Sequence, residues 1–439
     1  MRKNLATILF SLFLLVGMAP LVYAQNATIN KYKPAEGLTL TGKNGYKMNL
    51  RGYAQFYGDN RSYSSDSMDQ SFTRFRVRRL RLRLTGDVPQ YKMDYRFQID
   101  LSGSSEVDDD QASFLMDAWV AYNPTKWIKI KFGQSSSPTD NRELTMGSQT
   151  LQLVERSRVT SAFSTIREFG VFASGNFRTG GGTYLRPYLA VTNGDGINAF
   201  TQDRGGLKVG GRLDFLPFGL FTNIGQYRQV DMVRELTPKL VIGGNYSINQ
   251  GMSSRRGRES GAILYLDDMM NETLPDFTKF GIDFLFKYKG FSMLGEFVKT
   301  SATVPTEIST RVRNDGSTST NFDFEGQQDV ENYVKNRMML GEGYNIQAGY
   351  IFKNRFSVDA RYTHLEADRA SFLNNNVFYN RPNYYTIGLS KYMGRNYGFK
   401  VQSSITYNDL GPGATAINTD RTPITGREWT ARVITSFAF

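Results

Sequence analysis

Between residues 74 and 83 the chain carries six arginines: Arg74, Arg76, Arg78, Arg79, Arg81 and Arg83. A guanidinium presents a planar fork of donors that matches two oxygens at once, so a row of them suits carboxylate or phosphate oxygens. Further bases recur at alternate positions: Arg51, Arg96, Lys129, Lys131 and Arg212. Other chemistry is thin. The chain has no cysteine and one histidine, which excludes disulfides, thiolate metal sites and cysteine nucleophiles. His364 lies in Tyr362-Thr363-His364-Leu365 with Asp359 and Glu366 nearby, but no spacing supports a Ser–His hydrolase, and the expectation is no enzyme, no metal and no cofactor. Gly180-Gly181-Gly182 lacks the strand-to-helix setting of a phosphate loop and reads as a turn.

The elements that must hold these bases are β-strands. Leu80, Leu82 and Leu84 fall on one face and Arg79, Arg81 and Arg83 on the other. After Gly86-Asp87-Val88-Pro89 the alternation resumes: Tyr95, Phe97, Ile99 and Leu101 against Asp94, Arg96, Gln98 and Asp100. Strict period two means strands. Arg74, Arg76 and Arg78 are even and Arg79, Arg81 and Arg83 odd, so the phase slips at Arg78-Arg79, as at a β-bulge or where a strand leaves a membrane. Such a hairpin fits a soluble sandwich, or a membrane barrel with apolar residues facing lipid and polar residues facing a wet lumen.

The two ends of the chain decide between them. Arg2 and Lys3, an apolar run over 5–16 and Val22-Tyr23-Ala24 form a secretory leader with a cleavage site, predicting a mature start at Gln25. At the other end Trp429, Ala431, Val433, Phe437 and Phe439 share one face of a last strand that ends on Phe, like the terminal signature of Gram-negative outer-membrane barrels. Composition agrees, with 25 Tyr and 31 Phe to supply interfacial girdles and a mean hydropathy of −0.42 that excludes a helical membrane bundle. The net charge of +12 points to an anionic partner, and export argues against nucleic acid.

The predicted organisation is therefore a leader over 1–24, a periplasmic tail over 25–46, and an all-β transmembrane antiparallel barrel over 47–439. Strands are expected at 47–57, over the arginine run between 72 and the turn at 86–89, from that turn to about 103, and at 113–122, 127–134, 168–177, 183–192, 207–216, 239–247, 278–288, 291–300, 344–352, 356–366, 384–393, 397–407 and 427–439. Short turns alternate with long loops, and the count is about 16, within the even range of bacterial barrels. Residues 217–238 read as a long periplasmic connection, because an extra strand there would give an odd count. Residues 135–166 lack alternation and are too long for an idle loop, so they are expected to fold inward as the third loop and narrow the lumen.

With apolar faces outward, bases outnumber acids about two to one on the inner wall, a bias that favours anions. The predicted path is lined by Arg51, Arg79, Arg81, Arg83, Arg96, Lys129, Lys131 and Arg212; Lys287, Arg361, Lys400 and Arg432 also face inward. The competing reading pairs these bases with wall acids such as Asp94, Asp100, Asp117, Asp214 and Asp283 for stability alone. The acidic run at 108–110 reads as a solvated loop or a divalent-ion bridge to lipopolysaccharide. Arg255-Arg256-Gly257-Arg258 reads as a basic loop that draws anions to the mouth, contacts anionic lipopolysaccharide or is simply solvated.

Several motifs carry a family resemblance: Arg51-Gly52-Tyr53, Arg78-Arg79-Leu80-Arg81-Leu82, Tyr95-Arg96-Phe97-Gln98, Asp117-Ala118-Trp119, Gly133-Gln134, Glu155-Arg156-Ser157, and Arg167 followed by Gly170-Val171. In these the chain resembles the phosphate-selective porin O and P family of outer-membrane porins, in a Bacteroidetes-like version. The resemblance implies a 16-stranded barrel, a homotrimer, an inward third loop, and passive diffusion of small inorganic anions, phosphate among them, past basic residues. The family places a Lys and an aromatic between the Gln and Pro that open the inward loop; here Ser135-Ser136-Ser137 precede Pro138. General anion passage is therefore better carried than phosphate selectivity. The alternatives are a general or oligosaccharide porin without anion selectivity, and a scaffold barrel without transport.

Overall fold

The computed structural model describes residues 28–64, 69–103, 114–198, 204–257, 263–313, 315–374, 381–410, 416–417, 423–424 and 426–439. The leader and the acidic run at 108–110 lie outside them. Sixteen antiparallel strands form one closed sheet. They are β1 (Lys47–Ser64), β2 (Asp69–Val88), β3 (Met93–Asp100), β4 (Leu115–Tyr122), β5 (Ile128–Ser136), β6 (Arg167–Gly175), β7 (Thr183–Thr192) and β8 (Lys208–Leu216). The second half is β9 (Lys239–Asn249), β10 (Asp276–Tyr288), β11 (Phe291–Thr303), β12 (Gly341–Ile351), β13 (Phe356–Ala367), β14 (Asn383–Tyr392), β15 (Phe399–Leu410) and β16 (Gly426–Ala438). Each pairs with the next, and β16 returns to β1 in register from Arg427↔Ser64 to Ala438↔Tyr53. Closure leaves no barrel edge, which is what makes a sheet tolerable in hydrocarbon.

The alternation sorts side chains as the sequence predicts. On β5, Ile128, Ile130 and Phe132 are exposed outside while Lys129 and Lys131 line the interior. The slip at Arg78-Arg79 is a bulge: Gln55 pairs with Arg79 and Phe56 with Val77, leaving Arg78 as the extra residue. Before the bulge Phe75 and Val77 face out; after it Arg79 and Arg81 face in. Tyr344, Tyr362, Tyr385, Tyr407 and Trp429 form a row of rings across β12–β16 near the loop end, with successive centroids 5.8, 5.0, 6.3 and 4.8 Å apart. It is one arc of an interfacial girdle.

Two segments depart from expectation. The stretch expected as a tail contains a hairpin, Thr28–Lys33 with Gly37–Thr41, whose second strand pairs with the start of β1. Its polar sequence hid it, since neither strand needs an apolar face. The 217–238 connection, expected to lie outside the barrel, turns up into it. On the opposite end, residues from 250–275 and 304–340 share an apolar core of Met252, Tyr265, Leu274, Ile308, Phe322 and Met338, so these two loops fold as one cap.

Candidate functional site

The third loop leaves β5 after Ser136, three residues beyond Gly133, whose backbone is left-handed (φ 124°) and whose added Cβ would strike the Ala118 carbonyl and Trp119. The chain then crosses the lumen. Arg142 reaches Asp283 on β10 at 2.7 Å and Asp214 on β8 at 2.8 Å. Arg212 takes the same two carboxylates at 2.6 and 2.8 Å. Asp140 is held by Lys279 and by the backbone N–H groups of Thr165 and Ile166. Glu296 on β11 accepts from the Glu143 N–H and the Asn141 amide. At its far side the loop offers Glu155 to Arg78 and Arg79, the two inward residues that the bulge makes consecutive. Every one of these charges is buried and has a charged or hydrogen-bonded partner, as burial demands.

From the turn side the 217–238 connection meets this loop near mid-barrel. The Gln229 N–H donates to the Thr150 carbonyl, its side-chain oxygen accepts from the Gln152 N–H, and its amide donates to Glu143. Lys287 donates to the carbonyls of Gly225 and Val230, and Lys400 to that of Leu151. These two inward lysines, read from the sequence as wall charges, anchor the infolded segments.

The loop and connection fill the side of the lumen nearest β8–β14. Two cavities among the described residues bear on the site. The turn-side one, about 1280 Å³, is lined by Arg51, Arg83, Arg96, Lys129 and Lys131, joined by Arg186 and by Arg228 from the connection. Lys129 pairs with Asp94; Asp117 takes Arg167 at 3.0 Å and Arg96 at 3.8 Å; Arg83 donates to Gln98. Arg96, Lys129 and Lys131 all stand within 6 Å of the Trp119 ring, at 5.2, 5.8 and 5.5 Å. The loop-side cavity is a slot of about 50 Å³. One register row lines it: Arg361, Thr386, Thr406, Thr430 and Arg61, on β13 through β16 and β1. Arg156, Arg158 and Arg432 complete the slot, with Glu155 and Glu428 as its acids. The two cavities share one lining residue, Arg156, whose guanidinium donates to the carbonyls of Glu143 and Met146.

Of the eight expected path residues, Arg51, Arg83, Arg96, Lys129 and Lys131 come together on the turn-side cavity. Arg81 and Arg212 also line it, but with carboxylates at 2.7 Å (Asp100) and 2.6 Å (Asp283). Arg79 is a correction: it lines neither cavity and is spent on Glu155 and Gln55. Arg61, Arg156, Arg158 and Arg228 were not singled out for the path. Arg61 lies beyond the predicted end of β1 and the other three on non-periodic stretches; only Arg156 had a signal, as part of Glu155-Arg156-Ser157. His364 hydrogen-bonds Asn383 and stacks near Tyr344.

Comparison with solved structures places the fold among porins. The anion-selective porin from Comamonas acidovorans is 12% identical with a TM-score of 0.50, over 90% of this chain and all of that one. The outer membrane channel DcaP of Acinetobacter baumannii gives 12% and 0.50 over 91% of this chain and 99% of that one. OmpF of Salmonella typhi, in complex with daunomycin, gives 11% and 0.50 over 90% and 98%. At these identities the likeness is one of fold. No protein of curated function matches the chain. Residues 46–197, which span β1 to β7 and include the whole inward loop, match the family model for phosphate-selective porin O and P, and the resemblance read from Arg51-Gly52-Tyr53 onward is borne out there.

Proposed function

We propose that the chain is an outer-membrane porin through which small anions diffuse passively. The observation that carries this reading is the position of Arg156, the one residue common to both cavities, with bases predominating on either side of it. An anion crossing from the slot to the turn-side cavity would pass Arg61, Arg361 and Arg432, then Arg156, then Arg96 and Lys131. Buried ion pairs hold the loop; on the cavity walls bases outnumber acids, and a one-signed excess in a low-dielectric constriction concentrates the opposite ion. Phosphate is one candidate solute. Export through a cleaved leader at 1–24, assembly as a homotrimer and contact with outer-membrane lipid and lipopolysaccharide belong to the same reading, which needs no cofactor and no catalysis.

A second reading, a general or oligosaccharide porin, draws on the pairing of Arg79, Arg81 and Arg212 with carboxylates. Reversal potential of the refolded protein in a KCl gradient separates the two. A chloride-favouring potential, with current reduced by added phosphate, supports the anion pore. A neutral or cation-leaning potential without block supports the general porin.

A further inference from the structure

The outer wall over β7–β10 is not flush. Each cross-strand row there holds four outward residues: Leu189, Gly211, Tyr246 and Phe280 in one, Pro187, Leu213, Gly244 and Ile282 in the next. Gly211 lies between Leu189 and Tyr246, and Gly244 between Leu213 and Ile282, so the floor drops in two adjoining places. The result is an apolar groove of about 650 Å³ that runs from Leu207 and Gln250 at the loop end to Leu213 at mid-wall. Glycine at 243 is required on the inner face, where Arg142 and Arg212 occupy the space a Cβ would take. Glycine at 244 is not required: an added Cβ would meet nothing nearer than the Gly281 carbonyl at 3.8 Å. A strand glycine gives up packing and β-propensity, so the bare floor at 244 is space that the barrel itself does not need.

We propose that this groove seats one acyl chain of an outer-leaflet glycolipid. Its length fits. From 207 to 213 is about 20 Å along a strand, or roughly 14 Å along the membrane normal at the usual tilt, against about 15 Å for half of the hydrocarbon core. Its position fits, because it opens at the loop end and closes near the middle of the wall. Its walls are the exposed Leu189, Val209, Leu213 and Tyr246, continuous with the lipid-facing surface. A second copy of the chain fits less well. A closed ring of three barrels puts its two contact surfaces about 60° apart, roughly three strands of sixteen. The most protruding ring on the described strands, Phe75 at 85% exposed, stands six strands away on β2.

The proposal rests on the outer-membrane reading but not on anion selectivity, and its test reads lipid retention, which the choice of solute does not affect. The full chain is refolded, incubated with lipid A, stripped with excess detergent and weighed by native mass spectrometry. One lipid A per chain should persist, and its occupancy should fall at least tenfold in Gly244→Leu, which fills the floor, and in Phe280→Ala, which lowers a wall. Heat-modifiable gel mobility and unchanged conductance establish that each variant is folded. Equal retention in wild type and both variants overturns the proposal. Retention of phosphatidylethanolamine in preference to lipid A overturns the outer-leaflet assignment. Loss of subunits in Gly244→Leu, without loss of lipid, makes the groove a contact between copies and overturns it as well.

Discussion

One extra residue in a strand sets the chemistry of the inner wall. By pushing Arg78 out of register the bulge turns two successive guanidiniums inward, and Glu155 accepts both. Removing one partner of a buried pair leaves an uncompensated charge, a cost of about 3–5 kcal/mol. Glu155→Gln is therefore expected to lower the unfolding midpoint of the refolded barrel and add noise to the open-channel current, as the loop loses its far tether. Arg156 is expected to act on selectivity, since it is the lining residue common to both cavities and is held by the carbonyls of Glu143 and Met146. Arg156→Glu should shift the reversal potential of the refolded protein towards cations, because a positive charge shared by both cavities becomes a negative one. The alternation of Leu80 and Leu82 with Arg79 and Arg81 told which way each arginine points. It could not tell that Arg79 meets a glutamate 76 residues away, because Glu155 lies on a loop with no period to extrapolate.

At the level of elements, the lumen is narrowed by two segments of unlike construction. The third loop is tied to the wall by ions, Arg142 to Asp283 and Asp140 to Lys279, whereas the turn-side connection touches it through Gln229, bonded to the backbone of Thr150 and Gln152 and to Glu143 and steadied by Gln347 of the wall. Neutral hydrogen bonds are worth about 1 kcal/mol each, buried charged ones more. Replacing 222–231 by a short turn is expected to raise single-channel conductance with the barrel still closed, whereas Arg142→Ala should both raise conductance and lower thermal stability, because Asp214 and Asp283 then share Arg212 alone. The sixteen strands were legible from period two, most of them to within a few residues at each end although β1 runs seven residues past its expected end, and so was the inward course of 135–166 from its length. The hairpin at 28–41 and the inward turn of 217–238 were not. The hairpin is polar, and a polar strand carries no mark of the face it packs against; the apolar residues of 217–238, Phe221 and Val230 among them, follow no fixed period that would say which surface they meet.

For the molecule as a whole, the proposed selectivity is a property of the summed field, with no single ligand responsible. Screening shortens the reach of that field from about 30 Å at 0.01 M salt to about 3 Å at 1 M. The anion-to-cation permeability ratio should accordingly fall as KCl is raised at a fixed gradient, and a ratio that holds constant would favour short-range contacts at Arg156 over the field. The pairing of β16 with β1 has a consequence for how such a wall can come into being. The two partners are separated by nearly the whole chain, so the seam forms last, and every earlier state has two raw margins in the bilayer. Each unpaired peptide group there costs several kcal/mol. A nonsense mutation before Gly426 would thus yield no smaller conduit but an unsealed sheet, and ribosomes that stall late would be as unproductive as those that stall early.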